Sequence, residues 1–330
     1  MCNTSQNAFN HTLEIDETCY FSFKAAFHIP ALTLAILVIS INLAVILLFK
    51  RSRNLRKLPS NVIFLSFAIN DLLSGFTIIF HILPYLHFKI IGCTIQNVTK
   101  QDKFLNFMAV SLLMSMFTIL SAVGHFIMLS TDRILALFYA LRYFTIVTRK
   151  RTILAVVLVW MSSTFLVLLD LIWWNETDKL PHNKVYTCIL LIAFVLFPFI
   201  VLSIQYVSVI TLVNNLSKHT PSRQTAGFCQ ARKALITYSL MFSCFVMLST
   251  PFFIMRVIIV FHSTLFNSIS VTVFEAIYIL RYVTSFINPV LYTLRKRDFR
   301  KALEETIVNS VPFLTRSKKK EDIMLLDIKA

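Results

Sequence analysis

The amino-acid sequence predicts an all-α membrane protein, a bundle of seven transmembrane helices. Composition is the first reason. Of 330 residues, 57% are hydrophobic and 15% charged, whereas a soluble domain carries roughly 25% charge. Mean hydropathy is +0.72. The second reason is length. Seven stretches reach the roughly 20 apolar residues that a helix needs to cross hydrocarbon. They lie at 27–49, 62–88, 104–129, 152–173, 186–212, 234–261 and 271–294. Their apolar runs are long, whereas barrel strands alternate over about ten residues. The third reason is charge asymmetry: 24 of the 32 basic residues fall on one side of these spans and six on the other.

The same numbers exclude other classes. Four glycines rule out collagen and argue against glycine-rich phosphate loops. High hydrophobicity rules out disorder over most of the chain. Three regions follow: an extracellular segment at 1–26, the bundle at 27–294, and a cytoplasmic tail at 295–330. None has room for a separate catalytic domain. The basic side is the cytoplasmic side, which puts the N-terminus outside a plasma-membrane protein. The net charge of +16 then reads as attraction to anionic lipid, and nucleic acid is not expected as a partner.

Each span carries its own polar marks. Span one is no signal peptide, because its charged cluster, from Lys50 to Lys57, follows the apolar run. Span two holds Asp71 and Pro84. Span three ends on Asp132-Arg133. Span four holds Trp160, with Asp170 near its outer end. Span five holds Pro198 and Tyr206. Span six holds Phe245, Pro251 and Arg256. Span seven holds Glu275, Arg281, Asn288, Pro289 and Tyr292. An ionisable group inside a membrane is costly, so each one signals a partner or a function. Each proline removes a backbone hydrogen bond and invites a kink. Buried charge with kinks suits a bundle that has two arrangements.

Glycosylation sequons at Asn3, Asn10, Asn97 and Asn175 all fall outside in this topology. Cys2, Cys19, Cys93 and Cys188 fall on the oxidising side as well. Four cysteines allow three pairings. Cys93–Cys188, joining the first and second outer loops, is the favoured one; the alternative leaves one or more free. Zinc-ligand spacing and catalytic triads are absent, and no metal or enzyme activity is expected.

Together these residues resemble the rhodopsin-like G-protein-coupled receptors. The likeness runs from about residue 27 to 305, with one motif in each span: Asn42, Asn70-Asp71, Asp132-Arg133-Ile134, Trp160, Pro198 with Tyr206, Phe245 with Pro251, and Asn288-Pro289-Val290-Leu291-Tyr292. The resemblance also implies a short amphipathic eighth helix around Asp298–Leu303. A narrower likeness, to melanocortin receptors, lies in Phe138-Tyr139-Ala140-Leu141-Arg142-Tyr143 and in Met108 at the top of span three. The acidic residues of those receptors are replaced here by His81, Met108 and Leu112, so their peptide ligand does not carry over. A place in the melanocortin and adenosine-like group is expected; an olfactory-type chemosensory receptor is the rival.

The resemblance implies a mechanism. An extracellular ligand shifts a two-state bundle, span six swings outward, and a cleft opens for a heterotrimeric G protein. Asp132 and Arg133 pair when closed; Arg133 then turns to Tyr206 and Tyr292. Phe245, Asn288 and Pro289 complete the switch. Two departures stand out. Ser249 occupies the place of the family's usual tryptophan, and Ala231-Arg232 offers no acid to Arg133 from span six. Raised basal signalling is expected from both. Asp71, Asn288 and Ser285 suggest a sodium ion as allosteric modulator, although Ala122 stands where span three usually offers a hydroxyl; otherwise Asp71 is a structural carboxylate shared with Asn42 and Asn288.

The implied ligand pocket is lined by His81, Ser115, Ile119, Arg256, Tyr278, Arg281 and Tyr282. Amine receptors carry an aspartate where Ser115 stands, so a monoamine is not expected. Two arginines suit a carboxylate or phosphate, unless Glu275 or Asp170 neutralises them. His125 is assigned a packing face and no role. In the tail, Glu321-Asp322-Ile323-Met324-Leu325-Leu326 resembles a sorting signal, and Ser310, Thr315 and Ser317 are candidate receptor-kinase sites for arrestin recruitment. A non-signalling decoy receptor would keep the same fold and pocket.

Overall fold

The computed structural model describes residues 24–91, 98–139, 142–172, 180–192, 226–262 and 269–310, with isolated positions between 197 and 211. Among the described residues there are helices and no strands. The main elements are α1 (Ala25–Arg51), α2 (Pro59–Ile91), α3 (Val98–Phe138), α4 (Arg149–Ile172), α5 (Leu180–Leu191), α6 (Ala226–Phe261), α7 (Val271–Leu280), α8 (Val283–Arg295) and α9 (Arg297–Ser310). A helix satisfies its own backbone hydrogen bonds, which lipid cannot do. That is why the apolar runs become helices.

α1 to α4 and α6 are each long and apolar enough to cross a membrane. The fifth span lies partly outside the described residues. The seventh is divided: α7 and α8 meet at Arg281–Tyr282. There the Tyr282 N–H donates to Ile279 O at 3.0 Å and the Ser285 N–H to Tyr282 O at 3.1 Å. Such i→i−3 bonds tighten the helix locally. The helices also overrun the spans. α3 continues to Phe138, so Asp132-Arg133 lies within a helix, not at its end, and α5 starts at Leu180. Hydrophobic run length marks where a helix crosses hydrocarbon; the helix itself continues into the polar interface.

Packing follows from small and aromatic residues. A Cβ on Gly75 would lie 2.6 Å from Ile39 Cγ1 and 3.3 Å from the Ala35 carbonyl oxygen; one on Gly124 would lie 2.6 Å from Val159 Cγ1. These glycines let α2 approach α1, and α3 approach α4, in a solvent that gives no hydrophobic drive to association. The interior is filled by Phe64, Phe67, Phe126, Phe242, Tyr282 and Tyr292, all buried. Leu47, Met161, Phe165 and Met247 are exposed, as lipid-facing side chains must be.

The expected Cys93, the sequons at Asn3, Asn10, Asn97 and Asn175, Pro198, Tyr206 and the tail beyond 310 lie outside the described residues. Cys188 is exposed on α5 and forms no disulfide among the described residues.

Candidate functional site

Polar side chains gather at three depths of the bundle. In the orientation that the charges predict, the inner end carries Arg51 and Arg133 and the outer end Lys24 and Glu275.

At the inner end α3 presents Asp132 and Arg133. The guanidinium donates to one Asp132 oxygen, and the Tyr143 hydroxyl donates to the other at 2.6 Å. Tyr143 comes from a one-turn helix, Tyr143–Ile146. Its burial, and then the charge of Asp132, raises the phenol above its ordinary value. Arg133 also lies over the ring of Tyr238 on α6, 5.0 Å from the centroid. Span six was expected to offer Arg133 no acid; it offers a ring instead. An aromatic face, with its negative quadrupole, takes the part that an acid would play. Tyr292 is buried, and its ring packs 5.0 Å from Phe64 and 5.3 Å from Phe299 of α9. Its hydroxyl has no hydrogen-bond partner. One turn inward of the middle, Phe245 packs on Phe126 at 5.0 Å.

In the middle, Asp71 is 2% exposed. It accepts from Asn288 Nδ2 at 3.5 Å, with Ser285 also bonded to it. A small cavity is lined by Asp71, Ser74, Ala122, Ser249, Arg281 and Asn288, among others. Asn42 does not share Asp71 as expected. Its amide donates to the carbonyls of Val38 at 2.9 Å and Ser285 at 3.0 Å. The reason is Pro289, which has no N–H to give the carbonyl four residues before it.

His125, assigned only a packing face, joins a polar network. Its Nδ1 lies 2.7 Å from the Ser121 carbonyl, which can only accept, so Nδ1 carries the proton. Nε2 then accepts from Ser66 Oγ at 2.7 Å. Trp160 Nε1 donates to the same Ser66 oxygen at 2.9 Å. One serine thus ties α2, α3 and α4. Trp160 was visible in the sequence as a motif residue; its meeting with Ser66 and His125 was not.

At the outer end Glu275 is the hub. It lies 3.0 Å from His81 Nε2 and accepts from the Tyr85 hydroxyl at 2.6 Å. His81 Nδ1 meets Ser111 Oγ at 3.0 Å, and its ring stacks on Tyr278 at 4.1 Å. Glu275 therefore does not neutralise Arg281. Six residues place the two roughly 120° apart around a helix, on different faces. Arg281 instead donates from Nη2 to Ser115 Oγ. Its guanidinium lies over Tyr282 at 3.9 Å, with Phe252 at 5.2 Å and Tyr278 at 5.7 Å. So Ser115, Tyr278, Arg281 and Tyr282 do come together, and Arg281, Tyr282 and Ile119 also border the central cavity. His81 belongs to the Glu275 cluster beside them. Arg256 stands apart, over the Tyr186 ring at 5.1 Å. The side chain of Asp170 lies outside the described residues.

A helix bundle with a buried Asp–Arg pair at one end, a polar and aromatic cluster at the other and a small cavity between them suits a multi-pass membrane receptor. Residues 41–292 match the seven-transmembrane receptors of the rhodopsin family. The chain belongs to that family; it is a G-protein-coupled receptor and not an enzyme. It is similar to the histamine H2 receptor of Canis lupus familiaris, with 28% identity over 292 residues, which is 83% of this chain and 77% of that one. It is also similar to human G-protein coupled receptor 3, at 26% over 76% of this chain and 74% of that one. G-protein coupled receptor 12 of Rattus norvegicus is 27% identical over 79% and 75%.

Proposed function

We propose that the chain is a plasma-membrane receptor with its N-terminus outside, organised as segments 1–26, 27–294 and 295–330. It binds an extracellular ligand in the outer half of the bundle, around Arg281, and couples to a heterotrimeric G protein at the inner end. The observation that carries this reading is the closure of Arg133. Asp132 and Tyr238 hold it from α3 and α6, and Tyr143 of the inner loop fixes Asp132 by donating to its other oxygen. Moving α6 outward removes Tyr238 and frees the guanidinium for the G protein, with Tyr206 and Tyr292 as its new neighbours. Arrestin and a receptor kinase act on the tail in this reading.

Histamine, which names one set of relatives, fits poorly. A protonated amine needs an anion, and Ser115 stands with a guanidinium beside it. Asp71 serves as a structural carboxylate. A sodium ion there would lack a span-three hydroxyl at Ala122 and share its cavity with Arg281. The melanocortin and adenosine-like placement is supported by the inner-loop residues 138–143 and by Met108.

The test is second-messenger output, cyclic AMP and calcium together, from cells expressing the chain or its Arg133→Ala variant, without ligand. A basal signal lost in the variant supports a coupling receptor whose closed state is loosened at Ser249. Equal output at confirmed surface expression removes the argument for raised basal signalling. Silence that persists when the Arg281 site is occupied would favour a decoy.

A further inference from the structure

We infer that the Arg281 site, between the outer cluster and the small central cavity, receives a ligand bearing a carboxylate, which Arg281 binds, with the ligand's apolar body lying against Phe252, Tyr278 and Tyr282. The inference deepens the receptor reading and rests on it.

The first support is the state of Arg281 itself. It is 5% exposed. One terminal nitrogen donates to Ser115, while Nε is buried without a hydrogen-bond partner. A guanidinium has five donors in a rigid fork. A buried cation left without an anion is strongly unfavourable, so the arrangement asks for a counter-charge. Among the described residues no carboxylate lies within ion-pair distance of it. The acid nearest in span seven, Glu275, is taken up by His81 and Tyr85. Asp71 is bonded to Asn288.

The second support is the geometry of the rings. Tyr282, Phe252 and Tyr278 offer their faces to the guanidinium. Aromatic faces hold the flat cation by cation–π attraction and leave its edge for in-plane acceptors. The edge is where a carboxylate binds through two parallel hydrogen bonds. Lysine could not reproduce this, because it has no plane.

The third support is the sign of the field. Where an acid would attract an amine, this chain has a hydroxyl already accepting from a cation. At Ser115 and Arg281 the field therefore repels a cation and attracts an anion.

The experiment uses the purified full-length chain in detergent and three probes of one shape: 3-phenylpropionate, 3-phenylpropanol and 3-phenylpropylamine. Thermal unfolding is followed at millimolar probe. The carboxylate is expected to raise the midpoint by a few degrees, and the alcohol and amine to have little effect. Arg281→Gln loses the shift and Arg281→Lys keeps part of it. Ser115→Asp, which gives Arg281 its counter-charge from within the chain, also loses the shift. The proposal is overturned if none of the probes shifts the wild type, if the amine matches the carboxylate, or if the carboxylate shift survives Arg281→Gln. Basal nucleotide exchange on a G protein, wild type against Arg133→Ala, is read in the same preparations. It reports coupling without any ligand, so a failure of the receptor reading is told apart from a failure of the anion site.

Discussion

The amide of Asn42 on α1 donates to the Ser285 carbonyl on α8 at 3.0 Å, and that carbonyl is the one Pro289 leaves without its helical partner. A side chain from one span thereby repairs the backbone of another. In lipid an unpartnered carbonyl has no water to turn to, so the proline can persist as a hinge without unravelling the helix. Asn42→Leu should expose this dependence. The cost is about 1–3 kcal/mol for a buried acceptor left unsatisfied, seen as a lower unfolding midpoint of the purified chain. A midpoint unchanged by the substitution would mean that the carbonyl finds another donor.

Tyr238 should act as a latch. Its ring lies over Arg133 in the closed bundle, and contacts of this kind are worth about 0.5–2 kcal/mol. Losing about 1 kcal/mol of it shifts the closed-to-open ratio roughly fivefold. Tyr238→Leu should therefore raise ligand-free second-messenger output, while Tyr238→Phe, which keeps the ring, should leave it near wild type. If both variants signal alike, the ring is not what holds Arg133.

How much of this could be read from the residues alone depends on which physical signal they carry. The spans were legible, because crossing hydrocarbon demands an apolar run of set length. The break at Arg281–Tyr282 was not, because its residues are neither glycine nor proline. The inner pair Asp132–Arg133 was legible through adjacency and motif. Of the two readings left open for Arg281, its neutralisation by Glu275 fails, because Glu275 is taken up by His81 and Tyr85. A spacing of six puts Glu275 and Arg281 on different faces, and only i+3 or i+4 neighbours meet along a helix. The network around His125 and the contact of Tyr238 with Arg133 join residues from different spans. Such meetings depend on how each helix is rotated in the bundle, which periodicity does not specify here.

Ser66 is the joint of α2, α3 and α4. It donates to His125 and accepts from Trp160, so Ser66→Ala orphans two buried groups at once. Its cost should exceed that of a neighbouring apolar trim and reach about 2 kcal/mol or more. Trp160→Phe in the same background should add little, since the indole N–H has already lost its acceptor. A strictly additive double variant would contradict a shared network.

Lys296, at the turn between α8 and α9, gives the inner end a pH response. Its ammonium donates to Asn61 Oδ1 and lies 4.3 Å from the Phe64 ring centroid and 5.4 Å from that of Phe299. These contacts favour the charged form. Withdrawal from water, and then the charge of Arg133, oppose it and prevail, bringing the group from 10.5 down to about 7. The sign of the effect follows. Between pH 7 and 10.5 the unfolded chain holds a proton that the folded chain has released, so stability rises with pH across that window. Below pH 7 both forms are charged, and the cost of burying the ammonium is felt in full. Unfolding midpoints of the wild type should therefore climb from pH 7 to pH 10 relative to those of Lys296→Gln. Parallel curves over that range would show that the ammonium stays charged beside Phe64, and that its ring and amide contacts outweigh its burial.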